Sequence, residues 1–241
     1  MTKMHKSNGF TIIEITLAMA FISVLLLSIT LVSIQAGKVY NRGVILRDVN
    51  QSGREISDTL RRDFVQTNAK KITKNDSGGY IITVREGSNE INSRFCLGDY
   101  SYVWNYAKVL NDAGLSSSSN IFKVDGKPIN LVRVADPGAM LCAKTTSGKY
   151  PTSVSADRVT HLLKQLDKHS GGNLAIHQFS LEKATKTDDS EALFKTSFVL
   201  GTSVISEIDT ANQQCKPPTD DESNIEFCAI NRFEMIVRTN G

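Results

Sequence analysis

The stretch SNGFTIIEITLAMAFISVLLLSITLVSI, residues 7–34, decides how the rest of the chain is read. From Ile15 to Ile34 it holds twenty residues without a formal charge, about 30 Å of helix at about 1.5 Å per residue, the thickness of a bilayer's hydrocarbon core. Lys3, His5 and Lys6 form a positive flank ahead of it. A cleaved secretory signal begins in the same way and is cut after its apolar region at small residues. Ala18-Met19-Ala20 imitates such a site, but a cut there leaves FISVLLLSITLVSI at the new terminus, still in need of burial. An uncleaved anchor accounts for the hydrophobicity and the flank, yet not for Glu14. A central charge costs about 2.5–3.5 kcal/mol on insertion scales and less near the interface, so a carboxylate at the edge of a span invites a partner. A cut between Gly9 and Phe10 would place a new amino group and Glu14 on one helix end, where a neighbouring subunit could supply the opposite charge.

At this point Gly9-Phe10-Thr11-Ile12-Ile13-Glu14 resembles the class III signal of type IV prepilins and pseudopilins. In that family a membrane aspartyl peptidase cuts after the glycine and methylates the new terminal residue. The resemblance implies cleavage by prepilin peptidase after Gly9, N-methylation of Phe10, and pairing of Glu14 with another subunit's amino terminus during filament assembly. It implies as partners other pilin or pseudopilin subunits and an inner-membrane assembly platform, with lipid around the helix before assembly. The head would lie outside the cytoplasm on a single-pass anchor, and the filament would be periplasmic or extracellular. The expected organisation is a leader (1–9), a transmembrane and filament-core helix (10–36), an amphipathic helical extension (37–70) and a β-rich head (71–241).

The whole chain carries a formal charge of +3. Losing Lys3 and Lys6 with the leader lowers it to +1, which leaves no strong electrostatic case for a nucleic-acid partner. Four cysteines, Cys96, Cys142, Cys215 and Cys228, all follow the apolar run, and an even number fits two disulfides in an oxidising compartment. Three connectivities are open. Cys215 with Cys228 is favoured because the two bracket CKPPTDDESNIEFC, a Pro-containing acidic loop that a crosslink would restrain. Cys96 with Cys142 then follows by exclusion. Four reduced, buried thiols are the alternative, and a zinc site lacks any C-x2-C pair.

Past the membrane run, Val39, Ile45, Leu46, Val49, Ile56, Leu60 and Phe64 recur at helical spacing among charged residues. The spacing predicts one helix continuing from Phe10 to Phe64, with a bend or a melted turn at Gly37, Gly43 or Gly53. From Lys71 onward the pattern turns to short strands: YIITV, PINLVRVA after the Asp125-Gly126 turn, MLCA, NLAIHQFSL, ALFKTSFVL and FEMIVRT. SADRVTHLLKQLDKH reads as a helix with Val159, Leu162, Leu163 and Leu166 on one face and Gly171-Gly172 as its stop. The fold class is α+β, the long N-terminal helix packed on an antiparallel sheet. Within the prepilin family the size, the LVRV strand, the leucine-ended helix before NLAIHQFSL and the closing RFEMIVRTN look most like the larger minor subunits, the W-type minor pilins and J-type minor pseudopilins. The topmost minor component of that family tends to lack the glutamate, so Glu14 implies at least one subunit ahead of this one.

Few residues suggest other chemistry. Tyr100, Tyr102, Trp104 and Tyr106 alternate in YSYVWNYA and share one strand face, either as an exposed ligand platform or, more commonly for such rings, as core. Asp220, Asp221 and Glu222 are a calcium candidate, but the D-x-D-x-D-G spacing is absent and a solvated acidic turn is the simpler reading; Asp188, Asp189 and Glu191 take the same discount. His161, His169 and His177 lack metal-ligand spacing. With no nucleophile elbow, P-loop or dinucleotide fingerprint, the expectation is no enzymatic activity and no cofactor. The structural reading competes with an adhesive or DNA-capturing head and with an uncleaved bitopic membrane protein.

Overall fold

The structure is a computed structural model that describes residues 10–112, 114–163, 173–184, 191–204, 208–209, 212–217 and 228–240. The chain divides into two compact units, Met1–Asn41 and Arg42–Gly241. In the first, the described residues from Ile12 onward belong to the opening of a 55-residue helix, α1 (Ile12–Gln66), and every described residue from Phe10 to Asn41 is exposed.

In the second unit, α1 buries Ile45, Val49, Gly53, Ile56, Leu60, Asp63 and Phe64. Steps of three and four residues hold one face of a 3.6-residue helix against the head. Val39 and Leu46, grouped with that stripe by sequence, stand outside it and are exposed. The helix assignment also runs through all three glycines without interruption, so the melted turn expected there is corrected. Gly53 has a packing reason instead: a Cβ there would sit 2.0 Å from the Phe233 ring. A glycine admits an approach that no other residue does.

After α1 a 3-10 turn at Ala69–Lys71 is capped by Asn68, whose side-chain oxygen accepts from the Lys70 N–H at 2.9 Å. The head then builds β1 (Ile82–Glu86), β2 (Asn89–Leu97), β3 (Tyr100–Asn105), a short helix α2 (Ala107–Asn111), β4 (Lys123–Val124), β5 (Lys127–Pro128) and β6 (Leu131–Ala135). The rest is β7 (Ser153–Val154), β8 (Val159–Leu163), β9 (Leu174–Lys183), β10 (Leu193–Thr202), β11 (Ile208–Asp209), β12 (Gln214–Cys215) and β13 (Ile230–Arg238). The single sheet expected from the sequence is two main sheets, ordered β1-β2-β3-β6-β8 and β13-β10-β9, both antiparallel throughout. The fold is α+β, with one long apolar N-terminal helix and antiparallel sheets.

One core unites these parts. Phe95, Leu97, Tyr102, Trp104 and Leu131 from the five-stranded sheet meet Phe179, Phe194 and Phe198 from the three-stranded sheet and Leu60 and Phe64 from α1. The opposite face of the five-stranded sheet buries Val103, Val132 and Val134 under Phe122, Val124, Ile129 and Leu141. β3 is therefore covered on both sides. Asp125 and Gly126 join β4 to β5 with φ of 48° and 79°, the positive pair that a tight two-residue hairpin turn demands.

Two element assignments from sequence are corrected. The helix expected over 155–169 is a 3-10 turn at Ala156–Arg158 followed by β8, which pairs with β6 through Val134↔Val159 and Val132↔His161. β-branched Val159 and Thr160 suit the extended chain, and an open edge of β6 supplies a hydrogen-bonding partner that a local helix does not. Leu166, His169 and Gly171-Gly172 lie outside the described residues. MLCA forms a 3-10 turn, Met140–Cys142, rather than a strand, because the buried Asp136 carboxylate accepts from the Met140 and Leu141 N–H groups at 3.1 and 2.9 Å and curls the chain around itself.

Candidate functional site

The N-terminal segment carries two features that belong together. Thr11 precedes α1; its N–H and hydroxyl both donate to Glu14 Oε2 at 2.9 Å, and its hydroxyl oxygen accepts from the Glu14 N–H at 3.3 Å. This is a capping box, in which the first and fourth residues of T-x-x-E satisfy each other's orphaned backbone donors. The T-x-x-E spacing was visible in the sequence. Both bonds fall on one carboxylate oxygen, and an ionised carboxylate offers about four acceptor positions, so capping leaves Glu14 able to take a cationic partner as well.

The second feature is the surface behind the cap. Phe10 is 82% exposed, and Ile13, Leu17, Phe21, Val24, Leu27 and Leu31 follow it uncovered on α1. One helix near the N-terminus is thus long and apolar enough to cross a membrane. Ser23, Ser28, Thr30 and Ser33 return their hydroxyl protons to carbonyls four residues earlier at 2.8–2.9 Å, which hides their polarity from an apolar medium. Gly9 lies outside the described residues, as do residues 1–8.

In the head, the two cysteine pairs stand at bonding distance, Cys96 to Cys142 at 2.05 Å and Cys215 to Cys228 at 2.12 Å. Asp220, Asp221 and Glu222 lie outside the described residues, and so do Asp188 and Asp189. Among the described residues no group of three or more His, Cys, Asp or Glu side chains gathers where a metal could be held. His161 on β8 and His177 on β9 belong to different sheets. The His177 ring, mostly buried, bonds the Thr202 carbonyl through Nε2 at 2.9 Å; burial pushes its pKa below the usual histidine value, and that hydrogen bond opposes the shift.

The aromatic run is core rather than platform. Tyr102 and Trp104 are buried, and Tyr100 and Tyr106 pack half-covered against the same cluster. Phe95 stacks on Tyr102 at 4.8 Å, and Phe179 lies 4.9 Å from Trp104.

Besides Asp136, two buried charges went unnoticed in the sequence. Asp63, 1% exposed on the core face of α1, accepts from Arg133 Nε at 2.6 Å, Arg133 Nη2 at 2.9 Å and the Tyr102 hydroxyl at 2.5 Å. The Arg133 guanidinium also lies 3.4 Å from the centre of the Tyr100 ring. Burial and the Asp63 charge beside it raise the Tyr102 pKa well above that of a free phenol. The spacing Leu60-Asp63-Phe64 put Asp63 on the apolar face and so signalled burial, but nothing in the chain named its partner. Arg94 is fully buried, donating to the carbonyls of Leu141 and Pro151 at 3.0 and 2.7 Å and to Asn92 Oδ1 at 2.6 Å. Desolvation lowers its pKa to about 10. Both groups fasten backbone or helix to sheet.

The chain matches no protein-family model, no curated protein sequence and no solved structure.

Proposed function

We propose that this chain is a structural subunit of a type IV pilus or type II secretion-like filament, made as a prepilin, cut by prepilin peptidase after Gly9 and N-methylated at Phe10. Its size and segment order favour a minor pilin or minor pseudopilin. The observation that carries the reading is GFTIIE at the head of a bare apolar helix, in a chain whose head bears two disulfides. A plain anchor has no use for a carboxylate four residues behind its first aromatic except as a cap. A filament subunit has two, because Glu14 can close its own helix and still receive a neighbour's amino terminus. The adhesive or DNA-capturing alternative loses its best candidate platform with the burial of Tyr102 and Trp104.

The capping box also favours a second reading, an uncleaved bitopic protein in which Glu14 serves Thr11 and nothing else. Mass spectrometry of the amino terminus of the native protein separates the two. A chain beginning at methylated Phe10 is expected, and a Gly9→Leu precursor should stay uncut. An intact Met1 in the native protein would overturn the filament reading.

A further inference from the structure

The head carries a cavity of about 540 Å³ for which a filament role has no use. It opens where the segment after α1 meets the end of β9, and Lys70, Ile72, Thr73, Lys74, Tyr80 and Lys183 stand on its wall. Sites for small molecules span about 300–1,000 Å³.

The wall is basic. Three of its side chains are lysines, and among the described residues none is a carboxylate. Lys70 and Lys74 have no ion-pair partner among the described residues. The acids nearest in sequence are turned elsewhere. Asp76 pairs with Lys144 at 2.8 Å, and Glu182, beside Lys183 on β9, stands on the other face of that strand, across from Lys195. Ammonium groups around one space repel one another until an anion joins them.

Tyr80 points the same way. It is 8% exposed, and its ring meets Phe194 at 5.2 Å and 81°. A buried phenol ordinarily finds a hydrogen-bond partner. The Tyr80 hydroxyl has none among the described residues, and the residue lines the cavity. The loop between Lys74 and Tyr80 is also set in advance. Asn75 Oδ1 accepts from the Ser77 and Gly79 N–H groups at 3.0 and 2.8 Å, and its Nδ2 donates to the Ile81 carbonyl at 2.7 Å, which spares part of the ordering cost of binding.

Lysine meets phosphate as a point charge, whereas a carboxylate ligand is better matched by the planar fork of arginine. A bare phosphate ion would fill only a small part of this space, and Ile72 and the Tyr80 ring offer an apolar surface to whatever the phosphate is attached to. We propose that the cavity binds an organic phosphate monoester of mononucleotide size, with Lys70, Lys74 and Lys183 around the phosphate, the Tyr80 hydroxyl donating to one of its oxygens, and the organic part against Ile72. Every residue involved belongs to the unit Arg42–Gly241, so the site stands or falls separately from the filament reading.

The test is isothermal titration calorimetry of the full chain in detergent micelles, with AMP and adenosine as probes. AMP should bind about tenfold or more tighter than adenosine, the difference expected of charge-assisted hydrogen bonds to a phosphate. Lys70→Ala with Lys74→Ala should weaken AMP about tenfold, and Tyr80→Phe, which keeps the ring against Phe194, about threefold. Equal affinity for AMP and adenosine, or no binding of AMP, would overturn the site. So would an equal loss on removing two exposed lysines elsewhere on the head, Lys127→Ala with Lys149→Ala, since net charge alone would then explain it. Short-chain phosphatidic acid added to the micelles identifies the source of the ester: displacement of AMP assigns a lipid headgroup, and no displacement assigns a soluble phosphate.

Discussion

A carboxylate buried on the apolar face of a helix survives only when its partners come with it. Asp63 has three donors from two side chains, and the bidentate Arg133 fork fixes the position of α1 over β3 and β6. Removing the carboxylate leaves a phenol and a guanidinium short of an acceptor, so Asp63→Ala should destabilise the head by about 2–3 kcal/mol, read as a fall in the urea midpoint of the folded protein. His177 sets a pH dependence of definite sign. Its folded pKa lies below 6.5, so as pH drops through 6.5 the unfolded chain binds the proton first and stability falls; above that pH the imidazole is neutral in both states and the effect vanishes. Urea midpoints measured at pH 7.5 and pH 5 should differ less in His177→Gln than in the wild-type chain.

At the scale of elements, the second half of α1 shows what periodicity can and cannot tell. Ile45, Val49, Ile56, Leu60 and Phe64 were legible as a core face because helix geometry is local. The role of Gly53 was not, since the Phe233 ring that needs its space arrives from β13, 180 residues later. Gly53→Ala should therefore destabilise by about 1–3 kcal/mol from overpacking, despite the better helix propensity of alanine. Gly37→Ala meets open space and should raise helicity at no cost to the head; circular dichroism and thermal unfolding of the two variants would show the opposite signs. β8 was missed for a related reason. VTHLL suits a helix by its leucines, and the free edge of β6 overrode that local preference.

At the scale of the molecule, the two disulfides tie loops of unequal size, with separations of 46 and 13 residues. The chain-entropy relation puts the loss at about 4 kcal/mol for the first and about 3 for the second. Replacing Cys96 and Cys142 by serine should thus lower the unfolding midpoint more than replacing Cys215 and Cys228, and an equal effect of the two pairs would contradict that ordering. The sequence by itself determined the apolar span, its glycine-aromatic-carboxylate opening, the helical stripe beyond it and the even complement of cysteines, because charge, length and period are properties of neighbours along the chain. The tertiary structure decided that Tyr102 and Trp104 are core, that Asp63 meets Arg133 and that Gly53 admits Phe233. It also decided that the head has two main sheets rather than one. Each of these depends on groups brought together from distant positions, 70 residues apart for Asp63 and Arg133, and a pattern read along one strand of sequence contains no such distances.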